Sequence, residues 1–210
     1  MLARDTPREA PNMLPHSLRI QVLGSSSCTP EPGGETACFR VDDSILVDTG
    51  WCVARRLTDL GVDPRSIKAV LLTHFHSDHI GGLGSLAIQR WAALSATTPM
   101  RVLGPPGVDR VVAGFNEAYA MDSGYRTEHH GEDVLPAAGA GMVAEPFAVP
   151  AGQDSVVVLQ DDDLRITAFT VDHSPAQPAV GFRFDYQGRS LVISGDTAAI
   201  PEIVTISQGA

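Results

Sequence analysis

The sequence predicts a mixed α/β fold in which helices lie outside two packed β-sheets. In the first half of the chain, short apolar runs alternate with helical patterns, whereas in the second half strand patterns follow one another with short turns between them. A length of 210 residues and a hydrophobic content of 43% suffice for one sizeable core. We therefore expect a single domain over residues 17–210, preceded by a charged, Pro-rich and flexible segment over residues 1–16.

The first half of the chain supplies strands and helices in alternation. Apolar runs bounded by turn residues predict strands at LRIQVLG, TACFRV, SILVD, KAVLLT and RVLGP. Apolar residues at helical spacing predict a helix from Trp51 to Leu60, an amphipathic helix that opens at Gly81–Gly82, and a helix over residues 106 to about 120. The run KAVLLT is apolar without interruption, which indicates a strand buried on both faces.

The second half of the chain is predicted to be mostly antiparallel β structure. Residues 121–152 contain many Gly, Pro and small residues without a clear period, so we expect irregular structure there. The runs SVVVLQ and LRITAFTV flank DDD and predict a hairpin, and VGFRFDY and SLVISGD predict another around a QG turn. The final PEIVTISQGA has the pattern of an opening helix.

Charge and cysteine content exclude several classes of protein. A formal net charge of −10 and a pI near 5.0, without a Lys/Arg cluster, argue against non-specific binding to nucleic acid. Three cysteines without CxxC spacing indicate neither a disulfide framework nor a zinc knuckle, so we expect a reducing compartment. No run is long and apolar enough to cross a bilayer, so the sequence predicts a cytoplasmic protein with no membrane partner.

The stretch LLTHFHSDHIGG concentrates metal-binding side chains directly after the buried KAVLLT strand. His74 and His76 are two residues apart, so in an extended chain both imidazoles point to the same side and can share one ion. Asp78 and His79 follow where the chain turns into a helix, and they offer an oxygen and a nitrogen to a neighbouring ion. This spacing predicts two metals side by side.

Other candidate residues close apolar strands elsewhere in the chain. His173 closes ITAFTVDH and is a candidate metal ligand. The alternative is a strand-end histidine that is hydrogen-bonded to the backbone. Asp196 closes SLVISGD, where it could instead cap the following helix. Asp48 closes SILVD and is predicted to orient a metal-bound imidazole through its free N–H, with a turn aspartate as the alternative. Residues that collect at strand ends present a site through the loops of a rigid scaffold.

Together these motifs resemble the metallo-β-lactamase superfamily of metal-dependent hydrolases. The stretch THFHSDH matches the family's HxHxDH motif in full, and LVDTG, VDHSP and SGDT resemble its first, third and bridging-aspartate motifs. The branch most similar to this sequence is that of tRNase Z and arylsulfatase-like enzymes. The resemblance implies an αββα sandwich and covers the chain from about Leu18 onward.

The resemblance also implies a dinuclear hydrolytic centre. Its ligands would be His74, His76 and His173 for the first ion, Asp78 and His79 for the second, and Asp196 between the two. Zn²⁺ suits this mixed nitrogen and carboxylate set, with Mn²⁺ and Fe as alternatives. A water shared by two such ions would lose its proton near neutral pH and attack the ester, and Asp78 could accept a proton.

The sequence departs from the family in two places. His173 and Asp196 are joined by one hairpin, where tRNase Z enzymes usually carry a long Gly/Pro-rich arm that grips tRNA. The family's last metal ligand is a histidine beyond GDT, and here the C-terminal part is expected to be missing because no histidine follows His173. His129 and His130 could substitute for that ligand, or they could be solvated on a Gly-rich loop. If the chain ends at Ala210, the uncovered sheet would favour a homo-oligomer.

These features lead to a prediction of function with two alternatives. We predict a metal-dependent hydrolase of a small-molecule phosphodiester or related ester, and tRNA is not expected as a partner because the arm is absent and the net charge is −10. The first alternative is a metal-binding but catalytically inactive scaffold or partner subunit. The second is an iron oxidoreductase of the same fold, for which the motif would read HxExD, so His76 speaks against it.

Overall fold

Two β-sheets form the centre of the structure, a computed structural model that describes residues 18–29, 34–93, 95–161 and 163–210. The predicted flexible segment over residues 1–16 lies outside the described residues. The strands within the described ranges are β1 (Ile20–Gly24), β2 (Cys38–Val41), β3 (Ile45–Val47), β4 (Ala69–Leu71), β5 (Met100–Gly104), β6 (Met142–Pro146), β7 (Ser155–Gln160), β8 (Leu164–Thr170), β9 (Val180–Tyr186) and β10 (Arg189–Ile193). The helices are α1 (Val53–Asp59), α2 (Ser77–Ile80), α3 (Leu83–Ala92), α4 (Val108–His130) and α5 (Pro201–Ile206), with 3₁₀ turns at Pro64–Ser66 and Ala137–Gly139.

The strand order separates the two halves of the chain into the two sheets. The first sheet has the order β1-β2-β3-β4-β5-β6, in which β1, β2 and β3 pair antiparallel and β3 to β6 pair parallel. The second has the order β10-β9-β8-β7 and is antiparallel throughout. Both hairpins predicted for the second half are therefore confirmed.

Alternation of side chains along the central strands places the first sheet between two apolar layers. Leu46 of β3 and Val70 of β4 pack on one face with residues of α1, α3 and α4. Their neighbours Val47 and Leu71 point to the opposite face, where they pack against the second sheet, including Phe182 of β9. All five side chains are fully buried, so the parallel strands have the two-sided burial that KAVLLT predicts.

The outer side of the second sheet is covered near the C-terminal end of β8 by α5. Ile203 and Ile206 of this helix, together with Ile200 just before it, pack against Phe169 of β8. The helix predicted at PEIVTISQGA is therefore present. Helices lie outside both sheets, which confirms the αββα sandwich.

The third predicted helix is longer than expected. α4 runs from Val108 to His130 and includes residues 121–130, for which irregular structure was wrongly predicted. Its buried residues all lie in the first two turns, so the remainder has no apolar stripe to reveal its period. An ion pair between Arg126 and Asp122, with a distance of 2.8 Å, stabilises the exposed part locally. Neither α4 nor any other helix in the described ranges combines the length and apolar character needed to cross a membrane.

The sequence patterns also miss β6, which pairs in parallel with β5 at the edge of the first sheet. Asn116 of α4 fixes this strand, because its side chain donates to the carbonyl of Met142 at 2.9 Å and accepts from the N–H of the same residue at 3.0 Å. A glutamate and a proline interrupt the apolar run in β6, and an edge strand tolerates both. The strand is therefore fixed by a contact between residues far apart in the chain, and its own sequence shows little of the alternation by which a strand is predicted.

Candidate metal centre

The predicted site residues follow strands that end at one side of the two sheets. β3 and β4 are parallel neighbours, so Asp48 after β3 lies at the same edge as the HxHxDH stretch after β4. β8 and β10 run in the same direction because each is antiparallel to β9, and they are followed by His173 and Asp196. The N–H of Val180 donates to the carbonyl of Thr73 at 2.9 Å, which ties the two sheets together at this edge.

Three imidazole nitrogens converge to form the first donor cluster, which consists of His74, His76 and His173. The Nε2 atom of His74 lies 3.0 Å from Nδ1 of His76, and Nε2 of His173 lies 3.2 Å from the same Nδ1 atom. Ligands of a tetrahedral zinc ion with Zn–N bonds of 2.0–2.1 Å are separated by about 3.3 Å. The observed spacing therefore fits three ligands of one such ion.

A second donor cluster, formed by His74, His79 and Asp196, lies beside the first and shares His74 with it. The Nε2 atom of His79 is 3.6 Å from Oδ1 of Asp196 and 3.8 Å from Oδ2 of Asp78. The other carboxylate oxygen of Asp196, Oδ2, lies 4.0 Å from Nε2 of His173 in the first cluster. Asp196 thus directs one oxygen toward each cluster, which is the arrangement needed to bridge two ions.

The buried side chains of Asp48 and Thr73 determine which nitrogen atoms face the two clusters. Asp48 accepts three hydrogen bonds of 2.8 Å, from the backbone N–H and hydroxyl of Thr73 and from Nδ1 of His79. Because the Thr73 hydroxyl donates to Asp48, its oxygen accepts from Nδ1 of His74 at 3.0 Å. Both His74 and His79 therefore carry the proton on Nδ1, and both leave the Nε2 lone pair free for a metal.

The pKa values of these histidines depend on their surroundings. Burial, assisted by the imidazole of His79, lowers the pKa of His74 to about 3, so this imidazole is neutral at physiological pH. For His79, burial alone would lower the pKa, but the hydrogen bond and charge of Asp48 and the nearby Asp196 raise it. A metal ion requires neutral imidazoles as ligands, and His74 meets that requirement without help.

A cavity of about 420 Å³ opens beside the second cluster. Asp78, His79 and Asp196 line one side of it, and the loop Ser25–Ser27 after β1 lines another. Its size falls within the range of small-ligand sites, about 300–1,000 Å³. The carboxylates and hydroxyl groups in its lining can receive a polar substrate next to the second donor cluster.

The sequence patterns misplace two candidate residues and miss one residue that supports the site. His129 and His130 lie in the last turn of α4, not on a Gly-rich loop, and they are exposed and belong to neither donor cluster of the described residues. Thr73 was not singled out, although it holds both Asp48 and the ring of His74. Its position directly before the HxH motif could have indicated this role. An argument from the spacing of metal ligands does not use that position, because threonine is not one of the ligands.

Comparison with known proteins gives relatives and folds similar to this chain. Ribonuclease Z of Mycobacterium marinum is 35% identical over 198 residues, an alignment that covers 92% of this chain and 68% of the relative. The structure of human tRNase Z, short form, matches with a TM-score of 0.67 and 21% identity over 86% of this chain and 70% of that one. A long-form RNase Z from yeast shares the fold with a TM-score of 0.58 and 15% identity, over 87% of this chain and 29% of that one.

These relatives correct the predicted substrate. The sequence pattern led us to expect a small-molecule ester and to exclude tRNA, because His173 and Asp196 are joined by a single hairpin and the net charge is negative. That prediction is wrong, since the relative at 35% identity is named a ribonuclease and the fold is shared with a tRNase. The missing arm and overall charge were too indirect a basis for excluding a nucleic acid.

The family assignment follows from the motifs, the fold and the comparisons together. A model of the metallo-beta-lactamase superfamily matches residues 34–208, a range that contains all the strand-end residues of both donor clusters. The match and the ribonuclease Z relatives confirm the family resemblance of the four motifs. The chain belongs to the metallo-beta-lactamase superfamily.

Proposed function

We propose that the protein is a metal-dependent hydrolase that cleaves phosphodiester bonds of RNA, with tRNA precursors as the substrate class. The observation that carries the proposal is the pair of adjoining donor clusters, which share His74 and have Asp196 between them. Two ions held side by side are suited to an in-line displacement at phosphorus. The relatives named Ribonuclease Z support RNA as the ester, and they do not favour an inactive scaffold.

In the proposed centre, each ligand acts through a specific atom. Nε2 of His74, Nδ1 of His76 and Nε2 of His173 would hold the first ion, Asp78 and Nε2 of His79 would hold the second, and Asp196 would serve both. Zn²⁺ suits these nitrogen and carboxylate ligands, and Mn²⁺ or Fe would also be accommodated. When bound, the ions supply Lewis acidity and make hydroxide available as a nucleophile near neutral pH.

The protein side chains provide the remaining chemistry. Asp78 is buried at the wall of the cavity, where its carboxylate can accept the proton that the attacking water releases. The Ser25–Ser27 loop lines the same space, and its hydroxyl groups can donate to non-bridging phosphate oxygens. Asp48 and Thr73 hold the rings of His74 and His79, so the ligands are oriented before a metal arrives.

The cytoplasmic location stays a prediction.

We expect the zinc-loaded protein to cleave a precursor tRNA transcript and to hydrolyse bis(p-nitrophenyl) phosphate. Both activities should disappear when a chelator removes the metal, and they should return when Zn²⁺ or Mn²⁺ is added back, because the ligands are already oriented. Gel analysis of the RNA and absorbance of the released nitrophenol measure the two reactions. A protein that binds two ions per chain and hydrolyses neither substrate would contradict the proposal and favour the inactive scaffold.

A further inference from the structure

A second groove lies beside the first donor cluster, on elements that the proposed chemistry does not use. This Arg110 groove has a volume of about 370 Å³ and is lined by Phe75, Pro106, Arg110, Val111, Gln177 and Pro178. Its walls come from three segments, namely the HxHxDH loop, the start of α4 and the loop after β8. It shares no lining residue with the cavity beside the second cluster.

The Arg110 groove is formed by loops that also carry the proposed ligands of the first ion, so it lies next to the proposed place of cleavage. Phe75 lies between His74 and His76 in the chain, and Gln177 follows four residues after His173. The three ligands of the proposed first ion therefore sit on the same loops that form two walls of the groove. An extended RNA strand whose scissile phosphate lies at the two clusters can place a neighbouring nucleotide in this space.

The charge of the groove complements a phosphate. Arg110 is exposed, and within the described ranges its guanidinium has no carboxylate partner, whereas Arg101 and Arg126, for example, are paired at 2.6 and 2.8 Å. It lies in the first turn of α4, where the helix dipole disfavours a cation, so its position does not serve the stability of the helix. In a chain with a net charge of −10, this guanidinium supplies a local positive charge beside the loops of the first donor cluster, where it can attract an anion.

The shape of the groove leaves room for a base or sugar beside that phosphate. Gly107 precedes α4 with φ of +108°, and a Cβ atom at this position would lie 3.2 Å from Cε2 of Phe75. The glycine therefore keeps the space next to the phenyl ring clear. Phe75, Val111 and Pro178 supply apolar surface on which a nucleotide can pack irrespective of its sequence.

We infer that the Arg110 groove binds the nucleotide adjacent to the scissile phosphodiester of a single-stranded RNA segment. In this arrangement the guanidinium of Arg110 contacts a backbone phosphate, and the apolar wall contacts the sugar and base. The inference rests on the proposed function, since it takes the two clusters as the place where RNA is cut. It adds a binding site that positions the strand, and it assigns no step of the reaction to Arg110.

The test is the variant Arg110→Gln, compared with Arg165→Gln as its control. Arg165 is also exposed, but it lies at the start of β8, at the opposite end of that strand from His173. A labelled short single-stranded RNA is titrated with zinc-loaded and metal-free protein by fluorescence anisotropy, and a gel checks that the RNA stays intact. We expect Arg110→Gln to bind about tenfold more weakly, as for loss of one charged hydrogen bond. The slope of log K against log salt should fall by about 0.7.

Two results would overturn the inference. One is wild-type affinity and salt slope in Arg110→Gln, and the other is an equal loss in Arg165→Gln, which would indicate only a general effect of charge. Arg110→Lys should recover part of the affinity, because a point charge remains without the guanidinium fork. The proposed function is tested separately by hydrolysis in the wild-type protein. Inactive wild type with an Arg110-dependent RNA affinity would reject the function, whereas active wild type with an unaffected Arg110→Gln would reject the groove.

Discussion

Replacement of His76 by alanine is expected to remove at least one bound ion and to reduce hydrolysis of bis(p-nitrophenyl) phosphate about a thousandfold. The reason is the central place of this ring in the first cluster, where its Nδ1 atom is 3.0 Å from His74 and 3.2 Å from His173. Without that nitrogen the first ion would keep only two imidazoles and the shared carboxylate of Asp196, so it should be held much less tightly than by the full set. Elemental analysis of the purified variant measures the metal, and nitrophenol release measures the activity.

The variant can be interpreted cleanly because the side chain of His76 is exposed, unlike the fully buried His74. Its removal should change the free energy of unfolding by no more than about 0.5 kcal/mol in the metal-free protein. His130→Ala serves as the matched control, since His130 is also exposed and lies outside both clusters. Unchanged metal content in His76→Ala, or an equal loss of metal in His130→Ala, would refute the proposed ligand set.

The parts of this site that could be predicted are those encoded over short distances in the chain. His74, His76, Asp78 and His79 lie in one stretch after a buried strand, so their spacing alone indicates a shared site. His173 and the other strand-end candidates could be placed nearby because strand ends meet at the edge of a sheet. Local sequence was therefore sufficient to identify the candidate donors.

Features that depend on distant contacts could not be predicted in the same way. Thr73 and Asp48 are 25 residues apart, and only the parallel pairing of β3 with β4 brings them within 2.8 Å. The second half of α4 has no buried stripe, so periodicity gave no indication that the helix continues to His130. The substrate prediction failed for a different reason, because it relied on overall charge and a missing segment, and neither describes the surface beside the donor clusters.

Replacement of Asp48 by asparagine is expected to loosen the second metal site while leaving the first one largely intact. The side chain keeps its size, but it now offers one acceptor oxygen and an NH₂ group in place of two acceptor oxygens. If the amide oxygen keeps the bond from the Thr73 backbone, the NH₂ group faces Nδ1 of His79. His79 must then carry its proton on Nε2, the atom that points toward Asp196 and the second ion.

The expected result is a loss of about 10- to 100-fold in affinity for the second ion, as is usual when the partner of a ligating histidine is removed. The free energy of unfolding should also fall by about 1–3 kcal/mol, because Asp48 is only 1% exposed and its hydrogen bonds are charge-assisted. In a zinc titration of metal-free protein, the binding step of the first ion should stay as in the wild type, and the step of the second ion should lose affinity. Thermal unfolding of the metal-free variant measures the stability change separately.

Asp133→Asn is the matched control, since Asp133 is an exposed aspartate outside both clusters and should show neither effect. Loss of both metal steps together in Asp48→Asn would mean that the hydrogen bond between Thr73 and His74 also depends on the Asp48 charge. Unchanged binding of both ions with lowered stability would contradict the prediction more fundamentally. It would show that Asp48 supports the fold at this edge but does not select the tautomer of His79, and that the orientation of this ligand comes from its packing alone.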